Sequence, residues 1–465
     1  MFRYEILSLV ITAKRPAVAI ATMFAVATLS VWPDLAVAQG AEAVPESGDL
    51  SRLIRFGTDA EQRAAITAAR AAARTKAMDL AARQAALRSY IEGPLDTRDS
   101  AAAEREIQDM QRKGLKVRVE DEIAVARAAG KLEAMVPKLS ALAKDWATNY
   151  TATKLLGDVL YDLGERNAAL NAYTSALQTK PNAPEDWNLY SKLGACDRLL
   201  DLGQVDVVAK RLPVYAEVAK TKGYTSSLTH IGELYERLGD FTAAEQVYLR
   251  TEQLSNSEGG QAAGVFRNLR RSFQTGAFDR FLSVSAVTSQ IVPIRRQDVA
   301  CFKVQALAEL SKVTEAGKAA GEVPWVNPTA TNPHYLIRYI KLCRALKANE
   351  QLRSAADHLQ ELVRRETAAT KYYRPNNDVP VELMLAYREL GAADQAKQWA
   401  EYVLRSTADT LLPEEQWRRA KAQQVLGQTE AATASLAKAQ RLDPANYWYK
   451  KDSQTNAVLP VTAGR

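Results

Sequence analysis

Beyond its first 57 residues the chain reads as helix after helix, with apolar side chains spaced for one buried face and charged residues between them. Thr58-Asp59-Ala60-Glu61 has the spacing of a capping box, and an Ala-rich, Arg-rich helical pattern runs from it to about Tyr90, where Gly93-Pro94 stops it. Ser100 can cap a further helix that reaches about Lys113, with Gly114 as its stop. From residue 116 a turn glycine sets a phase. Gly130 and Gly164 stand 34 residues apart, and Gly203, Gly239 and Gly276 follow at 39, 36 and 37. The marker is then lost until Gly391 and Gly427, again 36 apart. Eight steps averaging about 37 residues predict about nine helical hairpins, each burying its apolar faces only against its neighbours. The fold class expected is therefore an all-α solenoid preceded by a helical region.

The pattern is clearest in Tyr150 to Ala183. Counted from Tyr150, Leu156 falls at position 7, Gly157 at 8, Leu160 at 11, Gly164 at 15, Ala169 at 20, Tyr173 at 24, Ala176 at 27 and Pro181 at 32. This resembles a tetratricopeptide repeat, with its small residues at 8, 20 and 27, large ones at 7, 11 and 24 and a closing proline; Thr153 departs from it at position 4. Small residues let the two helices approach, and large ones fill the gaps between them. Thr225 onward repeats the pattern with Leu228, Ile231, Gly232, Tyr235, Ala244 and Tyr248. Leu336 onward has Tyr339 at 4, Leu342 at 7, Cys343 at 8, Ala355 at 20 and Leu359 at 24. The stretches from Asn377 and from Pro413 follow it too, whereas 116–149, 184–224 and about 260–335 keep only the phase.

The N-terminus adds a compartment. Arg3, Lys14 and Arg15 precede the uncharged run Ala17 to Val31 and then Ala36-Val37-Ala38-Gln39, which reads as a secretory signal peptide cleaved after Ala38. The alternative is an uncleaved inner-membrane tether. The layout expected is a signal peptide over 1–38, a mobile leader over 39–57, a helical region over 58–115 and a front array over 116–320. A loop over 321–335, a rear array over 336–449 and a polar tail over 450–465 complete it.

Composition narrows function more than it specifies it. The 465 residues are 47% hydrophobic and 25% charged with a formal net charge of +7, and acids interleave with bases throughout. That describes a solvated mixed-charge surface with at most weak attraction to anionic glycans or lipids, and it disfavours nucleic acid. Cys196, Cys301 and Cys343 lack metal-ligand spacing and read as buried structural thiols, with one disulfide in an oxidising compartment left open. His230, His334 and His358 have no ligand spacing, and no nucleophile, phosphate-loop or dinucleotide motif occurs, so neither an enzyme nor a cofactor is expected.

The resemblance also implies where binding would occur, because the first helices of successive repeats line a concave groove through positions 5, 9 and 12. By position these are Lys154, Asp158 and Tyr161 in the first clear repeat, and Thr229, Glu233 and Glu236 in the one at 225. Further on they are Ile340, Arg344 and Lys347, then Val381, Leu385 and Arg388, and last Trp417, Lys421 and Gln424. The groove is thus expected to turn basic toward the rear, with Trp417 as an exposed aromatic, and to suit an acidic peptide or an anionic glycan. What the resemblance implies is a non-catalytic periplasmic scaffold that holds envelope proteins in a Gram-negative bacterium, in assembly or exopolysaccharide export. An enzyme-activating or ligand-binding subunit, and a membrane-tethered or phage-adsorption-type envelope protein, are the alternatives.

Overall fold

The computed structural model describes residues 47–144, 151–178, 188–254, 258–287, 293–322, 330–373, 375, 378–407 and 410–458. All regular structure among them is helical. Four helices come first: α1 (Ser47–Phe56), α2 (Asp59–Thr75), α3 (Leu80–Ile91) and α4 (Ser100–Arg112). Thr58 and Glu61 form the reciprocal capping box that starts α2. Asp79 caps α3 through the Ala81 and Ala82 amides, and Asp99 caps α4 through Ala102. The single helix read from Thr58 to Tyr90 is thus two, divided where Asp79 offers a side chain to a new helix start. Leu50 and Ile54 of α1 pack on Ile66, Ala69 and Ala85, so part of the span taken for a mobile leader is a helix with a buried face.

The helical hairpins follow. They pair α5 (Val119–Ala128) with α6 (Met135–Lys144), α7 (Ala152–Asp162) with α8 (Arg166–Ala176), and α9 (Leu189–Asp201) with α10 (Val205–Lys222). Next come α11 (Thr225–Leu238) with α12 (Phe241–Leu254), α13 (Glu258–Gln274) with α14 (Phe278–Val287), and α15 (Pro293–Glu309) with α16 (Val313–Gly321). The last three are α17 (Pro333–Ala345) with α18 (Asn349–Ala369), α19 (Asp378–Glu389) with α20 (Ala393–Ser406), and α21 (Pro413–Val425) with α22 (Thr429–Leu442). A closing helix, α23 (Tyr447–Val458), occupies the start of the expected polar tail.

One turn motif joins the two helices of every hairpin. In the second hairpin the Gly164 amide donates to the Tyr161 carbonyl and the Glu165 amide to Leu160, a Schellman pair with Gly164 in the left-handed region at φ 87°. The same pair recurs at Gly130, Gly203, Gly239, Gly276, Gly391 and Gly427. Where the glycine marker disappears from the sequence the motif does not: Ser311 (φ 60°) and Lys347 (φ 54°) take the left-handed position with the same two bonds. Lys347 therefore fixes the frame of its hairpin at Pro333, three residues earlier than Leu336. Position 8 is then Ile340, not Cys343.

Close approach explains the small residues at position 8. A Cβ on Gly157 would lie 2.6 Å from the Tyr173 ring, and one on Gly232 only 2.2 Å from Tyr248. Hairpin to hairpin, apolar faces merge into two long cores, one from Leu160 to Tyr248 and one from Cys301 to Ala422. The two blocks are not separate bodies. Leu412, just before α21, sits in the first core, and Arg98 reaches Glu366 at 2.7 Å while Thr331 bonds Asp59.

A left-handed L residue stores roughly 1–2 kcal/mol, against about 0.5–1 kcal/mol for the extra unfolded-state freedom of glycine. Ser311→Gly and Lys347→Gly should each stabilise the chain by about 0.5–1 kcal/mol in urea unfolding, whereas Gly391→Ala should destabilise it by a similar amount; equal midpoints for all three would remove the motif's energetic role.

Candidate functional site

Neighbouring first helices are tied by carboxylate–arginine bridges. Arg237 of α11 bonds Asp197 at 2.9 Å and Asp201 at 2.7 Å on α9, with His230 Nε2 2.6 Å from Asp197. Arg338 of α17 holds Asp298 of α15 at 2.8 Å, Arg344 of α17 holds Glu382 of α19 at 2.7 Å, and Arg418 of α21 holds Asp378 of α19 at 2.8 Å. Arg127 reaches Asp162, and Arg267 reaches Glu233. At three of these seams, and at a looser one in which Arg198 stands 3.6 Å from Asp158, the acid precedes the arginine by forty residues: 158 and 198, 197 and 237, 298 and 338, 378 and 418. That spacing, one repeat plus about one helical turn, was the sequence signal for the ladder, and motif reading by position passed over it.

The expected groove residues fall into two clusters. In the front one, Lys154 pairs with Asp158 at 2.5 Å, Asp158 also accepts from the Tyr173 hydroxyl at 2.9 Å, and the Arg198 guanidinium stands 5.6 Å above the Tyr161 ring. In the rear one, Trp417 and Lys421 meet Asp452 of α23, and Arg388 and Arg344 stand near enough to Lys421 for their charges to oppose its own. Trp417 Nε1 donates to Asp452 at 2.7 Å and Lys421 Nζ sits 2.5 Å from it. Lys421 is 7% exposed, and burial presses its pKa below the usual lysine value although Asp452 opposes this. Arg344 lies between Glu382 and Glu389, and Arg388 is exposed with one long contact to Gln424 at 3.5 Å.

Two expectations need correction here. Trp417 is half-buried under α23 rather than an open aromatic, because the helix that replaces the polar tail packs over it. Lys347 is an exposed turn residue outside the groove; with the frame set by the turn, positions 9 and 12 are Lys341 and Arg344. Arg344 and Lys421 already answer to the chain's own carboxylates, Glu382, Glu389 and Asp452.

A separate cleft, absent from the sequence reading, opens between the second helices α18 and α20. It encloses about 230 Å³ among Val363, Thr367, Tyr373, Pro375, Gln398, Trp399, Tyr402 and Arg405. Trp399 meets Tyr402 edge-on at 5.8 Å and donates its N–H to Gln360 at 3.0 Å.

Residues 225–256, which span α11 and α12, match the sequence profile described as tetratricopeptide repeat. That hairpin is a tetratricopeptide repeat. Its turn recurs along the array and its glycine–tyrosine packing recurs at Gly157, so the all-α solenoid is built of tetratricopeptide-type hairpins. Among solved structures, a tetratricopeptide repeat protein from Parabacteroides merdae is 13% identical over 71% of this chain and 94% of its own, with a TM-score of 0.24. The APC/C hetero-tetramer Cut9-Hcn1 is 11% identical over 85% and 86%, with a TM-score of 0.27. Both superpose loosely. No curated protein matches the chain. A tetratricopeptide fold points to a protein-interaction scaffold.

The three cysteines are free and buried, and burial pushes each thiol up to about 12. Such thiols are poor nucleophiles. No cluster of metal-ligating side chains occurs among the described residues, and no helix among them is long and apolar enough to cross a membrane.

Two outcomes follow for the ladder. Glu382 is buried and its strongest partner is Arg344, so Arg344→Ala should destabilise the chain by about 2–3 kcal/mol in chemical unfolding. For Asp197, burial favours the neutral acid, yet the bonds from His230 and Arg237 prevail and hold its pKa below the usual carboxylate range. Its contribution is complete above the ordinary aspartate pKa and is lost as pH falls through the lowered folded value. Melting points taken from pH 6 down to 3 should fall less steeply for Asp197→Asn than for the wild-type chain.

Proposed function

We propose that this chain is a non-catalytic, exported scaffold that binds proteins of the cell envelope through the inner face of its tetratricopeptide array. The array itself carries the reading: hairpins fixed to one another by bridges present a long inner face with mixed charge. The compartment rests on the basic, apolar and Ala-x-Ala succession of residues 1–38, which lie outside the described residues. A membrane-tethered form differs only in retaining that segment. Envelope assembly or polysaccharide export would supply partners of this kind, acidic proteins among them.

A ligand-binding subunit is the second reading, and the cleft beside Trp399 is what favours it. Its aromatic walls with Gln398, Thr367 and Arg405 suit the apolar face and hydroxyls of a sugar ring.

Cross-linking in intact cells followed by partner identification distinguishes the two. The scaffold reading expects an envelope protein to be captured, capture to drop at least fivefold in Arg388→Glu with an unchanged melting point, and the mature chain to begin at Gln39. Capture of nothing, together with quenching of tryptophan fluorescence by acidic oligosaccharides, would replace it with the second.

A further inference from the structure

Residues 442–451 cross the turns of two much earlier hairpins and are gripped there. Asp443 is 2% exposed and accepts from Arg271 twice, at 3.0 and 2.9 Å. Arg271 in turn lies flat over the Phe241 ring, 3.5 Å from its centre, so its fork is aimed before the carboxylate arrives. Four residues on, the Tyr447 ring meets Phe278 edge-on at 5.0 Å, and its hydroxyl donates to Glu309 at 2.7 Å. Trp448 lies 5.4 Å from Phe273, and Lys451 bonds both oxygens of Glu309 at 2.6 Å.

The receiving surface fits this segment closely. Beside Gly239 the Leu442 carbonyl oxygen occupies the place of a side chain, 2.8 Å from a Cβ position, and beside Gly276 the Tyr447 ring does so at 2.7 Å. These contacts lie outside the packing of one repeat on the next. Their partners are 172, 138 and 142 residues apart. An arginine preset for a carboxylate, an aromatic pocket four residues further and an acid beyond it make a receptor for a short linear segment, the way hot spots concentrate in peptide grooves.

We propose that Arg271, Phe273, Phe278 and Glu309 form a docking site for a partner segment that carries a carboxylate four residues ahead of an aromatic pair, and that residues 443–451 fill it in cis until such a segment displaces them. That the displacing segment belongs to a partner rests on the scaffold reading; the site itself does not.

The probe is a fluorescein-labelled peptide of residues 441–452, titrated by anisotropy into the full-length chain. Asp443→Ala with Tyr447→Ala empties the site and should bind the peptide at least tenfold more tightly than the wild-type chain. Adding Arg271→Glu should abolish that gain. An emptied chain of unchanged helicity that fails to bind, or that binds as well with Arg271→Glu, overturns the proposal. Should the double variant lose helicity, Tyr447→Phe, which removes only the bond to Glu309, should give a smaller gain on an intact fold, and no gain there also overturns it. Partner capture in cells reads the scaffold independently: a chain that captures partners but never binds the peptide keeps its function and loses this site.

Discussion

The clearest repeats of this molecule depend on how near the two helices of one hairpin can come. Gly157 against Tyr173 and Gly232 against Tyr248 bring the backbones to a distance that any Cβ would prevent, and the tyrosine ring fills the space left. A hairpin made this way still exposes one apolar face of each helix, so it holds only when a neighbour covers them. The two long cores are the result of that requirement met nine times among the described residues.

Apolar contact alone leaves neighbouring hairpins free to slide, since side chains three or four residues along a helix present nearly the same surface. The acid–arginine bridges remove that freedom. Most are partly exposed, and those contribute only about 0–1 kcal/mol apiece, yet a guanidinium fork meets a carboxylate in one alignment. The same bridges also decide what the inner face can offer. Arg344 and Lys421 are committed to Glu382, Glu389 and Asp452, so an acidic partner gains there only by exchange, whereas Arg388 remains exposed.

The phase, the all-helical class and the Thr58 capping box were readable in the sequence because each depends on local chemistry: a left-handed turn favours glycine, and a helix start needs an acceptor. The hairpins from 293 to 369 were harder, since Ser311 and Lys347 hold the turn without announcing it. With the marker missing, a frame three residues late still matched the pattern, because three residues bring a helix almost back to the same face. That is how Lys347 was assigned to the groove and Cys343 to position 8. Helices α1 and α23 escaped for a different reason. They are short, and α23, with Lys450, Lys451 and Asp452 in sequence, is polar enough that tertiary contacts, those with Trp417, Phe273 and Glu309 among them, hold it. The aromatic cleft escaped because it joins residues of two repeats whose relation no motif states.

The bond between Arg271 and Asp443 has a bearing on how the chain comes to be folded. Ladder bridges close loops of about forty residues and form as soon as the next hairpin exists, but this one must wait for 172. Contacts of such separation form late. The array therefore assembles from neighbour to neighbour, and residues 443–451 dock on it late, as do the pairs Arg98–Glu366 and Asp59–Thr331, so that a chain cut short before Asp443 would keep its repeats and lack this fastening. Closure, not merely folding, is what residues 443–451 report.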